Sequence, residues 1–291
     1  MSGLLGTGHF VSWEGGFLVI GRAMGVTPMH SHYAIQIAFG SEPGIRFRPS
    51  DRESWTSYDG VVISSRQPHT MDATTVQFDA VLFVEPETRE GRALTERFDK
   101  SGITALDADL IGDVATALFA TWQHERSAQA IEAAARAVIT KLTAGVEPSV
   151  VSDERILRAT AYIRSNIGGS ITLEEVADVA CLSPSRFRHL FVEQTGMALR
   201  PYVLWRRFLR VWELIMDGES LSTAAHAAGF ADAAHLTRTS RRMFGFPPSA
   251  LEVDGPLRRP DAGAVRAGSH APSSGSSPSI GSRAAVSVPR R

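Results

Sequence analysis

Arginines set at helical spacing among small side chains can read the edges of DNA bases, and two such sets occur in the last third of this 291-residue chain. In the first, Ser185, Arg188 and His189 fall at i, i+3, i+4, away from Phe187, Leu190 and Phe191, which share another face. In the second, Ala233, Ala234, Thr237, Arg238 and Arg241 lie on the side turned away from Leu236. An arginine in the major groove donates two hydrogen bonds to a guanine edge, and Ala or Thr packs on a thymine methyl. Arg186, at a helix N-terminus, and Arg206, Arg207 and Arg210 are read as phosphate contacts, which position without specifying. A third constellation lies near the other end: His30-Ser31-His32, then Gln36, then Pro68-His69. Alternation on a strand places both imidazoles of H-x-H on one face. A third histidine from another strand completes the donors of an open three-histidine site for a divalent metal, with Gln36 beside it.

These residues need elements to hold them, and helix punctuation supplies the elements. Ser152 reads as the cap of a helix carrying Ile156, Thr160, Ile163 and Ile167, stopped by Gly168-Gly169. Thr172 and Glu175 have the spacing of a capping box. Ser183 before Pro184 is an N-cap with proline at the first helical position, and Gly196 ends that helix. A longer helix runs over about 200–216, with Pro201 in its first turn. Asp232 caps a further helix that Gly245 closes, and Pro247-Pro248-Ser249 starts a short last one.

Residues 171–196 and 220–245 repeat one another. Leu173, Ala177, Ala180 and Leu182 match Leu221, Ala225, Ala228 and Phe230, and Ser183, Phe187, Leu190 and Gly196 match Asp232, Leu236, Thr239 and Gly245 one residue further on. Small residues such as Ala177 and Ala225 let two short helices cross closely, as a helix-turn-helix requires. The pair predicts two such units. The helix between them, roughly 25 Å long at about 1.5 Å per residue, can hold the reading helices about one DNA turn apart, ~34 Å.

Up to about residue 105 the chain is strand-like, mixing β-branched and aromatic residues with Gly, Pro and Asp. Two helices follow, over 109–122 and 128–142, whose apolar stripes and charged opposite faces suit a dimerisation segment within 106–145. Residues 146–152 read as a linker, 153–254 as the DNA-binding domain and 255–291 as a disordered basic tail. The net charge of −1 conceals a balance of −6 over residues 1–151, zero over 152–254 and +5 in the tail, so placement of arginines, not bulk charge, carries the DNA argument. A single cysteine, Cys181, excludes an internal disulfide, and its apolar neighbours predict a small core residue. With no signal-like N-terminus and no membrane-length apolar run, a cytoplasmic protein without membrane contact is expected.

The stretches LSPSRFRHLF…TGMALRPYVLWRRFLR and AAGFADAAHLTRTSRRMFGFPPS resemble the AraC/XylS-type regulators over about 100 residues. The resemblance implies a two-unit DNA reader behind an N-terminal effector or dimerisation domain. By position it puts base readers at Ser185, Arg188, His189, Ala233, Ala234 and Arg238. It also implies double-stranded promoter DNA, RNA polymerase, a small-molecule effector and a second copy of the chain as partners, with regulation of transcription, as an activator or a repressor, and no enzymatic activity. Two residues depart from the family pattern: Ser240 stands where a core Phe is usual, a loss of about 3–5 kcal/mol unless Met243 or Phe244 fills the space, and Glu252 stands where an arginine is usual. The histidine pattern resembles the metal motifs of the cupin barrel. The fold class is therefore α+β, an N-terminal cupin-like barrel with flanking helices and a C-terminal all-α domain. Three readings fit His30, His32, Gln36 and His69: an effector pocket without metal, a divalent-metal site, or structural histidines. A metal-dependent cupin enzyme with an appended DNA-binding domain is the rival to the regulator.

Overall fold

Apolar residues alternate faces along the strands of the N-terminal half, and this decides what each face of its main sheet packs against. A computed structural model describes residues 5–22, 24–98, 102–148 and 152–257. The larger sheet contains β1 (Gly6–Trp13), β2 (Gly16–Arg22), β4 (Ile35–Gly40), β7 (Gly60–Ile63), β9 (Phe78–Val84) and β10 (Ile103–Leu106), in the order β10-β7-β4-β9-β2-β1-β11. Its last member, β11 (Leu251–Val253), comes from the far end of the described chain and pairs parallel with β1. A smaller sheet orders β3 (Val26–His30), β8 (His69–Asp72), β5 (Ile45–Arg48) and β6 (Thr56–Tyr58). No ladder joins the two sheets among the described residues, so the expected closed barrel is instead a pair of separate packed sheets.

Leu18, Ile20, Ile37, Phe39 and Leu82 point to one face of the larger sheet. Against them lie α2 (Ala108–Ala120) and α3 (Ala128–Thr143), through Ile111, Leu118, Phe119, Ile131, Val138 and Leu142. The apolar stripes that suggested a dimer interface are thus spent inside the chain, because an uncovered sheet face needs them. Phe17, Ala38, Val81 and Phe83 point the other way, toward the smaller sheet and the helical half.

The helical half comprises α4 (Glu154–Ser165), α5 (Leu173–Val179), α6 (Pro184–Thr195), α7 (Leu199–Met216), α8 (Leu221–Ala227) and α9 (Ala233–Phe244). Thr172 and Glu175 form the capping box, Ser183 and Asp232 cap α6 and α9, and Gly196 and Gly245 end those helices in the left-handed region. The cap of α4 is Asp153, whose carboxylate accepts from the Arg155 amide. Ser152, expected there, instead donates its hydroxyl to the Glu87 carbonyl. After a 3-10 turn at Pro248–Ala250 the chain enters β11. Arg22 and Arg126 then grip Asp254. Trp122 donates to His9 Nδ1, which leaves His9 Nε2 to donate to the Gly255 carbonyl, each at 2.9 Å. The chain therefore stays on the fold past residue 254; the tail from 258 onward, expected to be disordered, lies outside the described residues.

The two halves meet over buried charge. Glu85 accepts from Trp205 Nε1 at 3.2 Å and from Arg206 at 2.5 Å, while Glu87 accepts from Tyr202 at 2.9 Å and Tyr33 at 2.5 Å. Arg206 is only 7% exposed and its guanidinium is paired inside, so it is not the phosphate contact that the sequence suggested. Arg206→Ala leaves Glu85 as an uncompensated buried charge and is expected to lower stability by about 3–5 kcal/mol. Urea denaturation should show that loss, with the salt dependence of DNA binding unchanged.

Burial, reinforced by the neighbouring Glu85 carboxylate, pushes the Glu87 carboxyl up from 4.5 to about 7. The groups around it are Glu85, Tyr33, Tyr202 and Arg206. An acid raised in the folded state holds a proton that the unfolded chain releases. Its contribution is complete below pH about 4.5 and is lost as pH rises through about 7. Glu87→Gln should flatten the stability profile across that window in urea titrations at stepped pH, and an unaltered profile would assign the slope to another group.

Candidate nucleic-acid interface and histidine site

In each unit a short helix, a tight turn and a capped second helix bring one face inward and leave the other free. In α6, Phe187, Leu190 and Phe191 are buried while Ser185, Arg186, Arg188 and His189 are exposed. In α9, Leu236, Thr239 and Ser240 are buried while Ala233, Ala234, Arg238 and Arg241 are exposed and Thr237 is half-buried. Arg188 and His235 line one open groove that also runs along the start of α7. Arg242, exposed in the last turn of α9, and His235 were not singled out from sequence, although both lie within the repeat.

Arg207 donates to the carbonyls of Ile167 and Gly169, at 3.4 and 2.8 Å. It ties the loop after α4 to α7, and the phosphate role expected of it gives way to this structural one. Arg210 pairs with Glu213 on its own helix. Cys181 is exposed, contrary to the expected core position. It sits in the turn between α5 and α6 at φ 54, and Gly229 fills the same position of the second unit at φ 81. The turn demands a left-handed residue, which outweighs the apolar run around it. Ser240 is fully buried, but it leaves no orphan: its hydroxyl donates to the Phe246 carbonyl at 2.6 Å. Phe244, one turn later, supplies the aromatic, stacking on Phe208 at 4.6 Å and Trp205 at 5.8 Å. Glu252 lies in β11, opposite Thr7.

The four N-terminal residues do come together. His30 at the end of β3 pairs in register with His69 at the start of β8, and His32 follows two residues on. The three rings offer ligand atoms that all lie within 4.8 Å of one another. His32, Gln36 and His69 are buried, and His30 is partly exposed at the rim. Burial holds the His32 ring down to about 3 and lowers His30 and His69 as well. Beside them is a small cavity of about 50 Å³ lined by Thr27, His30, Gln36, Met71, Phe83 and, from the helical half, Phe244 and Phe246. Phe244 stacks on His32 at 6.0 Å and meets Phe83 edge-on at 5.7 Å.

Two helix-turn-helix units stand about a shared helix, α7. The family model described as a helix-turn-helix domain matches residues 176–252. The chain is 30% identical over 92 residues to the probable transcriptional regulator LumQ of Photobacterium leiognathi, covering 31% of this chain and 37% of that protein. It is 30% identical over 106 residues to the arabinose operon regulatory protein of Escherichia coli K12, covering 35% of each. The chain thus spans little more than a third of the curated relatives it matches. ToxT from Vibrio cholerae O395 has the same overall fold, with a TM-score of 0.53 at 10% identity, covering 81% of this chain and 96% of that one. No described helix is long and apolar enough to cross a membrane.

Two substitutions test the local account. Cys181→Gly should stabilise the protein by about 0.5–1 kcal/mol, since relief of left-handed strain exceeds the glycine entropy cost. Ser240→Phe should destabilise it by about 1–3 kcal/mol, because Phe244 already fills the core. Thermal denaturation of both variants distinguishes these signs, and a stabilising Ser240→Phe would mean that a void had been overlooked.

Proposed function

We propose that the protein is a sequence-specific DNA-binding transcription regulator of the AraC type, reading two successive major-groove turns with α6 and α9. The observation that carries this reading is the matched pair of capped second helices. Each buries its apolar face and leaves its arginine, Arg188 or Arg238, exposed. Ser185, His189, Ala233, Ala234 and Thr237 complete the base-facing sets, and Arg186 and Arg241 reach phosphates. Promoter DNA is the macromolecular partner; RNA polymerase and a second copy of the chain are partners of the bound state.

The N-terminal half, cupin-like in its strand content and histidine pattern, holds a small effector in the cavity beside Gln36. The cavity lining is largely apolar with a few polar groups, as in small-molecule sites, and its space of about 50 Å³ has to widen to admit an effector. A ToxT structure of the same fold is bound to (E)-4-(8-methylnaphthalen-1-yl)but-3-enoic acid, which supports reading this cavity as an effector site. Phe244 and Phe246 line it from the DNA-binding half, so a ligand there contacts both halves.

The second unit carries the weaker set of readers, two alanines and a threonine beside one arginine. Arg188→Ala is expected to cost about 1–3 kcal/mol and to relax preference at one or two base pairs. Arg238→Ala should cost less and act on the other half of the site. Selection of preferred sites from random DNA, with affinities at one fixed salt, measures both, and an unchanged preference in Arg188→Ala would rule out the assigned reading face.

A further inference from the structure

The histidine cluster has a hydrogen-bond pattern that a merely structural cluster does not need. His30 Nδ1 faces the Pro28 carbonyl at 2.8 Å, His32 Nδ1 the Ala34 carbonyl at 2.9 Å and His69 Nδ1 the Gln67 carbonyl at 2.9 Å. A carbonyl only accepts, so all three rings carry their proton on Nδ1 and present a bare lone pair on Nε2. Three separate backbone segments thus hold three rings in one tautomer, the arrangement in which ligating histidines are usually oriented.

One of these lone pairs has no partner and a second faces a carboxamide oxygen. His69 Nε2 is buried without a hydrogen-bond partner, in a residue with no exposed surface. His32 Nε2 stands 2.8 Å from Gln36 Oε1. With the ring proton committed to Ala34, these are two acceptors face to face, a repulsive contact unless a cation joins them or the amide turns its NH2 inward. An ion bound to both atoms removes the repulsion and satisfies His69 at the same stroke. Imidazole nitrogens suit first-row transition ions, whereas Ca²⁺ and Mg²⁺ take oxygen ligands. With metal–nitrogen bonds of about 2.0–2.1 Å, tetrahedral ligands stand roughly 3.3 Å apart, so the rings close inward by about an ångström. His30 at the partly exposed rim is the ligand beside the entry path.

We propose that His30, His32 and His69, through Nε2, and Gln36, through its carboxamide oxygen, bind one divalent transition-metal ion of the zinc type. This site is independent of DNA reading: a chain that bound no DNA would still bind the ion. It also touches the second unit through one ring, since Phe244 stacks on His32.

The experiment is a Co²⁺ titration of metal-stripped full-length protein, followed by visible absorption and reversed with Zn²⁺. One equivalent should produce ligand-field bands that Zn²⁺ abolishes. His69→Ala should weaken binding about 100-fold or more. His30→Ala, which removes a ligand at the rim and leaves the core intact, should do the same with an unchanged circular dichroism spectrum. Gln36→Glu should tighten binding by supplying a charged oxygen. Absence of bands up to millimolar Co²⁺, or bands that survive both histidine substitutions, overturns the assignment. DNA binding by the same samples is scored separately, so failure of the metal site and failure of the regulator reading are distinct results.

Discussion

Glu85 and Arg206 meet at 2.5 Å in a region where both side chains are buried, and the relation between the two halves depends on that contact. A buried charge is tolerable only with a partner, so neither half can leave the other without exposing one ion and hydrating both. Tyr33, Tyr202 and Trp205 complete the junction by donating to the same two acidic residues. Since α7 carries Tyr202, Trp205 and Arg206 and also joins the two helix-turn-helix units, the sheet holds the shared axis of the DNA-binding half directly. Ser12 with Glu213 and Arg92 with Gln194 extend the contact along α7 and α6.

This explains which parts of the molecule were readable from sequence. Caps and stops are local chemistry: Thr172 with Glu175, Ser183 with Pro184, Asp232, Gly196 and Gly245 are all used as their types suggest. The inward and outward faces of α6 and α9 follow from helical period alone. Arg206 could not be read that way. Its partner lies 121 residues earlier in the chain, and periodicity on α7 carries no trace of an acid just past the end of a distant strand. Arg207 was misjudged for a related reason, since the carbonyls it binds belong to a loop outside its helix. Cys181 shows the converse, a local backbone demand overriding an apolar context.

The histidine cluster was readable in part. β3 ends at His30, so His32 joins the cluster from the segment after the strand and not by alternation along it, while the strand register delivers His69. What spacing did not reveal was the participation of the helical half, where Phe244 covers His32. That aromatic is one of the two residues, Met243 and Phe244, that could make up for the missing Phe at Ser240. Moving the ring by one helical turn keeps the core filled and places it against the N-terminal sheets, so one substitution pattern serves both packing within the unit and contact between halves.

The parallel pairing of β11 with β1 has a consequence for synthesis. His9 on β1 is bonded to Gly255, 246 residues later, and Gly6 waits for Leu251. While the chain emerges from the ribosome, the first strand made has no neighbour on that side until nearly all of the described chain has been translated. An unpaired edge invites pairing with other chains. During that interval the outer edge of β1 offers its unpaired backbone groups to any other strand, until Leu251–Val253 covers it.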